Sequence, residues 1–401
     1  MKGNAIKKFD FRSLITGLVP LFVVAHCAHH LLIALPVPML PLIRDEFALD
    51  YTRSGMVYSA FALSYGFSQL PAGWLADRFG PRLLITIGIC GVAAAGLLVG
   101  LSQTYIMLMV FLALMGVAGG GYHPAAIPLI SAAVPPRKRG RVLGFHMIGG
   151  AASFFLSPLI AAGIAVAWGW RGPFIVLAVP SIVYGVIFSR FLGGLAHIKS
   201  AEPKTIESHI ETPVAPGHWR RLVAFLILSV SNSVVIRSVV TFIPLFMVDH
   251  FGVAKETAAA LLAVIYSAGL WSSPLGGYLS DRLGSVPVTL AVCFFAGPVV
   301  YLLGVVPYGL GIGAVLILFG MIHYIRQPSA ESYIVTHGSQ RHRSTVLGIY
   351  YFGAVEGAGI ITPLIGYLAD RFGFYVTFTI AGAFLLATTL VCSIWLWGSR
   401  D

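Results

Sequence analysis

Apolar stretches of about 20 residues recur along the whole of this 401-residue chain. A helix of that length crosses the roughly 30 Å hydrocarbon layer of a bilayer, and it satisfies its own backbone hydrogen bonds there. The sequence therefore predicts an all-α membrane protein with twelve transmembrane helices. The predicted spans are residues 15–42, 53–76, 82–101, 105–134, 141–167, 172–193, 220–248, 256–280, 286–306, 309–335, 345–368 and 374–397.

Composition excludes a soluble globular domain of this size. Hydrophobic residues make up 57% of the chain and charged residues 10%, and the mean hydropathy is +0.87. A soluble domain cannot bury so large an apolar fraction in its core. Lipid is therefore the expected solvent for most of the surface.

The net charge of +11 follows the topology and does not indicate a nucleic-acid partner. With the amino terminus in the cytoplasm, nineteen of the 26 lysines and arginines fall on the cytoplasmic side and five on the opposite side. The other two, Arg237 and Arg326, lie inside spans. The positive-inside rule predicts a bacterial-type inner-membrane protein with both termini cytoplasmic.

The chain contains an internal repeat. A constant shift of 204 residues superposes Asp77 on Asp281 and Pro124 on Pro328. One register over several helices indicates a duplicated six-helix unit, and many transporters place their substrate site between two such units. The two prolines are expected to bend helices 4 and 10. The predicted domains are an N-terminal bundle (1–193), a cytoplasmic linker (194–218) and a C-terminal bundle (219–401).

The loop between helices 2 and 3 reads Gly73-Trp74-Leu75-Ala76-Asp77-Arg78-Phe79-Gly80-Pro81-Arg82. It resembles the major facilitator signature G-x-L-A-D-R-x-G-R-K and departs from it at Pro81. A degenerate copy, Gly277 to Gly284, follows helix 8. The resemblance covers the whole chain. It implies a twelve-helix transporter that works by alternating access, is not an enzyme, needs no cofactor and is a monomer by default.

The same resemblance implies a breakable cytoplasmic latch for the outward-facing state. Gly73 allows close helix contact, Gly80 permits a tight turn, and Asp77 offers a carboxylate to a helix amino terminus or an arginine. The alternative is that Asp77 and Arg78 only cap and orient helices. A third copy, Gly366 to Gly373, is set aside because the predicted topology places it outside. The expected latch residues are Gly73, Asp77, Arg78, Gly80, Arg82, Asp281 and Arg282.

A narrower resemblance lies in helices 4 and 5. Tyr122-His123-Pro124 and the entry Arg139-Gly140-Arg141 are similar to the fosmidomycin-resistance branch of drug exporters. This resemblance implies export. Helix 5 only partly matches the G-x-x-x-G-P signature of antiporters, however, so the direction of transport stays open.

Polar side chains at membrane depth are the candidate substrate ligands, because they are costly there unless they are paired or face water. Arg326 and His323, one turn apart on helix 10, present two donors suited to an anion. Glu356 on helix 11 is placed to pair with Arg326, so its protonation is expected to couple protons to the anion. The alternative is a static ion pair.

Arg237 on helix 7 is the second intramembrane cation. It is interpreted as part of a basic cavity. The alternative is that it packs against helix carbonyls outside that cavity.

Five histidines lie within spans of the N-terminal half. His26 shares one face of helix 1 with His29 and His30. The spacing raises the question of a metal, but no carboxylate or cysteine completes a ligand set, so no metal site is predicted. The histidines are expected to line a proton-sensitive cavity. For His123 and His146, the alternative is a hydrogen-bonded histidine that only packs between helices. The repeat aligns Tyr122-His123-Pro124 with Arg326-Gln327-Pro328. The further predicted substrate ligands are His26, His30, Tyr122, His123 and Gln327, and His146 is assigned to proton coupling.

Enzyme motifs are absent from the sequence, including the P-loop and the H-E-x-x-H and G-x-S-x-G patterns. Three functions stay open. The first is a proton-coupled exporter of a small anionic or amphiphilic compound, and the second is a proton-coupled importer of a small organic anion. The third is a lipid-moving or uncoupled protein on the same fold. Small molecules, protons and membrane lipid are the expected partners.

Overall fold

The computed structural model describes residues 18–134, 139–194, 218–337 and 343–397. The regular structure in these residues is helical. The helices are α1 (Leu18–Ile33 with Pro36–Phe47), α2 (Tyr51–Phe79), α3 (Pro81–Thr86, the π-helical Ile87–Gly91, Val92–Gly100), α4 (Tyr105–Gly119 with Tyr122–Ala132), α5 (Arg139–Trp168), α6 (Arg171–Gly194), α7 (His218–Phe251), α8 (Lys255–Leu283), α9 (Ser285–Leu303), α10 (Leu310–His337), and Arg343–Leu396, which comprises α11 (343–372) and α12 (374–396).

Ten helical stretches in the described residues are long and apolar enough to cross a membrane. α2 is not among these ten stretches. It has 29 residues, which is long enough to cross a membrane, but it is more polar than they are. The last stretch, Ile349–Leu396, is 48 residues long, about twice the length that one crossing needs. It breaks at Gly373, where φ is 75°. The described residues thus confirm the predicted twelve-helix architecture.

The internal repeat is visible in the backbone. Gly80 and Gly284 end equivalent helices with φ of 87° and 89°, values that glycine adopts more readily than any other residue. Gly373 makes the same kind of turn. All three copies of the signature segment therefore form a helix, a glycine turn and a second helix.

The two repeated prolines have different effects. α4 is interrupted at Gly120 and Gly121, and Pro124 lies in the first turn of its second part, where a missing N–H costs little. Pro328 instead lies inside the uninterrupted α10. At the break, a Cβ on Gly120 would lie 2.0 Å from Ser68 Oγ, so the interruption also lets α4 approach α2 closely.

Among the described residues, the two most extensive contacts between the N-half (α1–α6) and the C-half (α7–α12) are between pairs of long helices. α2 packs along α11 and α5 packs along α8. In the first interface a Cβ on Gly55 would lie 3.0 Å from Pro363 Cα, and Ser59 Oγ donates to Gly359 O at 2.5 Å. Residues 195–217, most of the predicted linker, lie outside the described residues. The predicted domain boundaries therefore stay a prediction.

Polar contacts between the halves are concentrated at one end of the molecule. This closed end carries the loops near residues 48–50, 252–254 and 373. Gly194 and His218 lie at the opposite end, the linker end. Among the described residues, every hydrogen bond and ion pair between the halves lies at the closed end or within about three turns of it.

Candidate functional site

Arg237 lies half-buried on α7 near the junction of the two halves. Its Nε has no hydrogen-bond partner, and the ion pairs of the described residues do not include it. Its charge acts on three half-buried phenols, Tyr58 of α2, Tyr266 of α8 and Tyr324 of α10. A cation within electrostatic range of phenol groups from both halves is suited to hold an anion.

Glu356 lies at the interface between α2 and α11. Its side chain is 3% exposed, and neither carboxyl oxygen has a hydrogen-bond partner. A Cβ on Gly66 would lie 1.3 Å from Glu356 Oε1, so the carboxyl group occupies the space that this glycine leaves. The phenol of Tyr58 is within electrostatic range of both Glu356 and Arg237.

The expected pair between Arg326 and Glu356 does not form in this structure. Arg326 is 1% exposed, and its Nη1 donates to Ser229 O at 3.1 Å and to Tyr350 Oη at 3.2 Å. Its guanidinium thus joins α7, α10 and α11 within the C-half. The prediction that it faces substrate stays untested, but in this conformation the side chain is not accessible to a bound molecule.

The neighbours of Arg326 on α10 have separate surroundings. His323 is half-buried, its Nδ1 has no partner, and it is within electrostatic range of Arg237. Gln327 donates from Nε2 to Glu331 Oε1 at 2.9 Å. Of the predicted α10 ligands, His323 is therefore the one that the structure brings near Arg237.

The five predicted histidines form one cluster inside the N-half. Helix α1 supplies His26, His29 and His30, the second part of α4 supplies His123, and α5 supplies His146. His30 Nε2 lies 3.1 Å from His123 Nε2, and the rings of His26 and His146 stack with centroids 4.2 Å apart.

Tyr122 completes this cluster from α4. Its ring stacks on His29 at 4.3 Å between centroids, and it is 0% exposed. A Cβ on Gly88 would lie 2.8 Å from the Tyr122 Cβ, so the glycine of the π-helical segment makes room for this ring. Tyr122 is not accessible to a ligand in this conformation.

A polar cluster joins the halves at the closed end. Asp249 of α7 pairs with Arg44 of α1 and accepts from Tyr51 Oη at 2.7 Å. Asp45 pairs with Lys255 of α8. These five residues, the outer clamp, hold α1 and α2 against α7 and α8.

Asp370 of α11 adds a second connection at this end. Its carboxylate accepts from Tyr51 N at 2.8 Å and from Thr52 N at 2.9 Å. These are the first two residues of α2. Asp370 belongs to the third copy of the signature segment, which topology alone had set aside.

The predicted latch residues at the linker end make no contact between the halves in the described residues. Asp77 and Asp281 are exposed, and neither belongs to a recorded ion pair. Arg78 lies over the Trp74 ring and Arg282 over the Tyr278 ring. The latch role therefore stays a prediction for another conformation.

Two other latch residues of the first copy also stay within the N-half. Gly73 is exposed, and no atom lies within 4 Å of its Cβ position. Arg82 Nε donates to Ser189 Oγ of α6 at 3.4 Å.

No sequence pattern selects Tyr58, Tyr266, Tyr324 or Asp249. Tyrosines are ordinary components of apolar spans, and Asp249 lies at a span end where charged residues are common. Asp370 can be selected from the sequence, because it occupies in the third copy of the signature segment the position that Asp77 occupies in the first.

Known proteins resemble this chain over nearly its full length. The family model of the Major Facilitator Superfamily matches residues 22–354. A probable sulfoacetate transporter of Cupriavidus necator is 28% identical, with 86% of this chain and 85% of that protein covered. A hexuronate transporter of Bacillus subtilis is 24% identical at 86% and 85% coverage. Multidrug resistance protein MdtG of Proteus mirabilis is 26% identical at 87% and 88% coverage.

The fold resembles a solved structure as well. A bacterial homologue of the human lysosomal transporter Spinster superposes with a TM-score of 0.74 over 96% of each chain, at 15% sequence identity. At that identity the likeness concerns the fold alone.

Proposed function

The chain belongs to the Major Facilitator Superfamily, and we propose that it is a proton-coupled symporter of small organic anions such as carboxylates and sulfonates. The observation that carries this proposal is the placement of Arg237. It is an intramembrane cation without an ion pair among the described residues, and the phenols within its electrostatic range come from both halves. Intramembrane charges usually pair or face water. An anionic substrate supplies the missing partner.

The phenols support the choice of a carboxylate or sulfonate. Both groups present several oxygens to a guanidinium, and charge-assisted hydrogen bonds of this kind are roughly twice as strong as neutral ones. Hydroxyl donors of Tyr58, Tyr266 and Tyr324 can complete the shell. Because these residues come from α2, α8 and α10, a bound anion would contact both halves.

Glu356 supports proton coupling. Burial of an ionised carboxylate without a donor costs far more than burial of the neutral acid, so Glu356 is proposed to carry a proton in this conformation. An ionised Glu356 would repel the anion and attract Arg237. Protonation removes both effects, so proton binding and anion binding favour each other. Positive coupling of this sign produces symport.

The position of Glu356 supports a link to alternating access. It is covered by Gly66 across the interface of α2 and α11. Opening of the closed end would move α2 away from α11 and give the carboxyl group access to water on that side. The positive-inside assignment places the closed end outside the cell, so protons and anions would enter together from the exterior.

Two relatives support the substrate class. Their names refer to sulfoacetate and to hexuronates, which are small organic anions. The organic-anion importer, the second function inferred from sequence, thus becomes the favoured one.

Drug efflux is the second candidate function. The observation in its favour is the likeness to MdtG, named as a multidrug resistance protein. An exporter driven by proton exchange needs proton and substrate to compete. The geometry around Arg237 and Glu356 gives the opposite sign for an anion.

Uptake into proteoliposomes tests the proposal. Labelled sulfoacetate and glucuronate would be offered with an inward proton gradient, to the parent protein and to Arg237→Gln. The expected result is gradient-driven uptake of at least one anion by the parent and its loss in the variant. Arg53→Gln is the matched control, because Arg53 is an exposed arginine at the start of α2. Absence of anion uptake, together with extrusion of a lipophilic dye, would favour efflux instead.

A further inference from the structure

Three imidazoles from two helices converge within the N-half. His26 and His30 lie one turn apart on α1, and His123 lies in the first turn of the second part of α4. One ring nitrogen of each lies within 4.8 Å of the other two. The rings of His26 and His123 are also in edge contact, with centroids 5.0 Å apart. The break in α4 at Gly120 and Gly121 brings His123 to this position.

Hydrogen bonds fix the tautomer of His26. Its Nδ1 donates to the backbone oxygen of His146 at 2.8 Å, so Nε2 carries the lone pair, and Nε2 has no partner. A histidine that binds a metal usually donates its other ring N–H to a carbonyl or carboxylate. His26 is therefore already oriented as such a ligand.

A hydrogen bond between two ring nitrogens forms the contact of His30 and His123, and a metal ion would take the place of the proton that they share. Stacking against Tyr122 and His26 gives His29 and His146 an ordinary role in the core. His30 and His123 instead point ring nitrogens at each other, 3.1 Å apart. Two imidazole nitrogens bound to one Zn²⁺ at about 2.0–2.1 Å would be roughly 3.3 Å apart. The observed spacing is close to that value.

We propose that His26, His30 and His123 bind one divalent first-row transition-metal ion. Three imidazoles suit Zn²⁺, Ni²⁺, Co²⁺ or Cu²⁺, whereas Mg²⁺ and Ca²⁺ require oxygen ligands. The ligands are neutral, so the ion keeps its charge, and hydroxide or another anion fills the remaining position. The three nitrogens lie within 4.8 Å of one another, so the site requires side-chain rotations that shorten the longest separation toward about 3.3 Å.

Ring contacts connect the proposed metal site to the tyrosines near Arg237. His30 contacts the ring of Phe154 at 5.2 Å between centroids, and Phe154 contacts Tyr266 of the C-half at 5.6 Å. Tyr266 is one of the phenols near Arg237. The metal site thus lies in the N-half, two ring contacts from the anion site. It does not depend on the proposed transport function.

Titration with Co²⁺ tests the proposal. The full-length protein would be purified in detergent through a tag without histidine and titrated while the visible d–d absorption is recorded. The expected result is one Co²⁺ per chain, displaced by Zn²⁺. The variants His30→Gln and His123→Gln are expected to weaken binding by at least the roughly 10–100-fold that loss of a ligand's hydrogen-bond partner costs, because each removes a ligand itself. His250→Gln, which alters an exposed histidine of α7 outside the cluster, is expected to leave binding unchanged.

Three results would overturn the proposal: no spectral change at one equivalent of Co²⁺, unchanged binding in both cluster variants, or equal loss in His250→Gln. Size-exclusion profiles show whether each variant folds. If the cluster variants fail to fold, X-ray absorption of the Zn²⁺-loaded parent decides the question. Three imidazole nitrogens support the site, and fewer than three contradict it.

Discussion

Asp370 of α11 binds the amino terminus of α2 through Thr52, whose backbone N and Oγ1 both donate to one carboxylate oxygen, at 2.9 and 2.6 Å. The second carboxylate oxygen accepts from the backbone N of Tyr51 at 2.8 Å. A helix amino terminus carries partial positive charge and free N–H groups, so a carboxylate there is stabilising. Here the carboxylate comes from the opposite half. The contact therefore stabilises the closed end and not only the helix.

Substitution Asp370→Asn is expected to shift the conformational equilibrium toward opening of the closed end. Hydrogen bonds to a charged group contribute about 1.5–3 kcal/mol, so a shift of about tenfold or more is expected. Spin labels at the exposed positions Gln103 and Tyr308, one in each half, would report the distance across the closed end. The expected outcome is a larger population of long distances.

Asp50→Asn is the matched control for this prediction. Asp50 caps the same helix through Arg53 N, at 2.7 Å, but belongs to the same half. Its substitution removes a comparable cap without touching the interface. Equal distance distributions for Asp370→Asn and the parent would contradict the proposed role of Asp370.

Arg326→Gln is expected to reduce stability and to leave anion affinity nearly unchanged. The buried guanidinium joins α7 to α11 through Ser229 O and Tyr350 Oη, and loss of buried hydrogen bonds to a charged group costs about 2–3 kcal/mol. Thermal unfolding in detergent and anion binding would be measured side by side. Arg237→Gln should show the reverse pattern, with weak binding and ordinary stability. If Arg326→Gln lost much of its anion affinity and kept normal stability, Arg326 would be a substrate ligand and this prediction would be wrong.

Gly66→Ala is expected to disturb the contact between the halves at Glu356. The new methyl group would occupy the position of Glu356 Oε1, and overpacking of a close interface costs about 1–3 kcal/mol. Reduced transport and a less populated closed end are expected. Gly163→Ala on α5 is the control, because no atom lies within 4 Å of its Cβ position. Unchanged transport in Gly66→Ala would show that Glu356 moves aside at little cost.

Sequence reasoning predicted most of the fold because membrane crossing requires long apolar helices and leaves few alternatives. It also selected Arg237 and Glu356, since intramembrane charges are rare. It paired Glu356 with Arg326 on helix adjacency alone, and the structure instead turns Glu356 toward Gly66 on α2. Which face of α11 meets the other half depends on tertiary packing, and apolar faces toward lipid and toward protein have similar compositions.

The histidine cluster shows the same limit. The spacing on α1 predicted that His26 and His30 share a face. The third ring nitrogen of the proposed metal site comes from His123, nearly 100 residues later in the chain. Its approach depends on the break in α4. No periodicity in the sequence shows where that break places the ring.

The most direct test of the central claim is the number of protons that the protein takes up when the anion binds. Isothermal titration of sulfoacetate or glucuronate, whichever the protein transports, would be repeated in buffers of different ionisation enthalpy, for the parent, Glu356→Gln and the control Glu256→Gln. The account predicts net proton uptake in the parent and in the control, and none in Glu356→Gln. Proton release on anion binding, or equal uptake in the parent and Glu356→Gln, would contradict symport through Glu356.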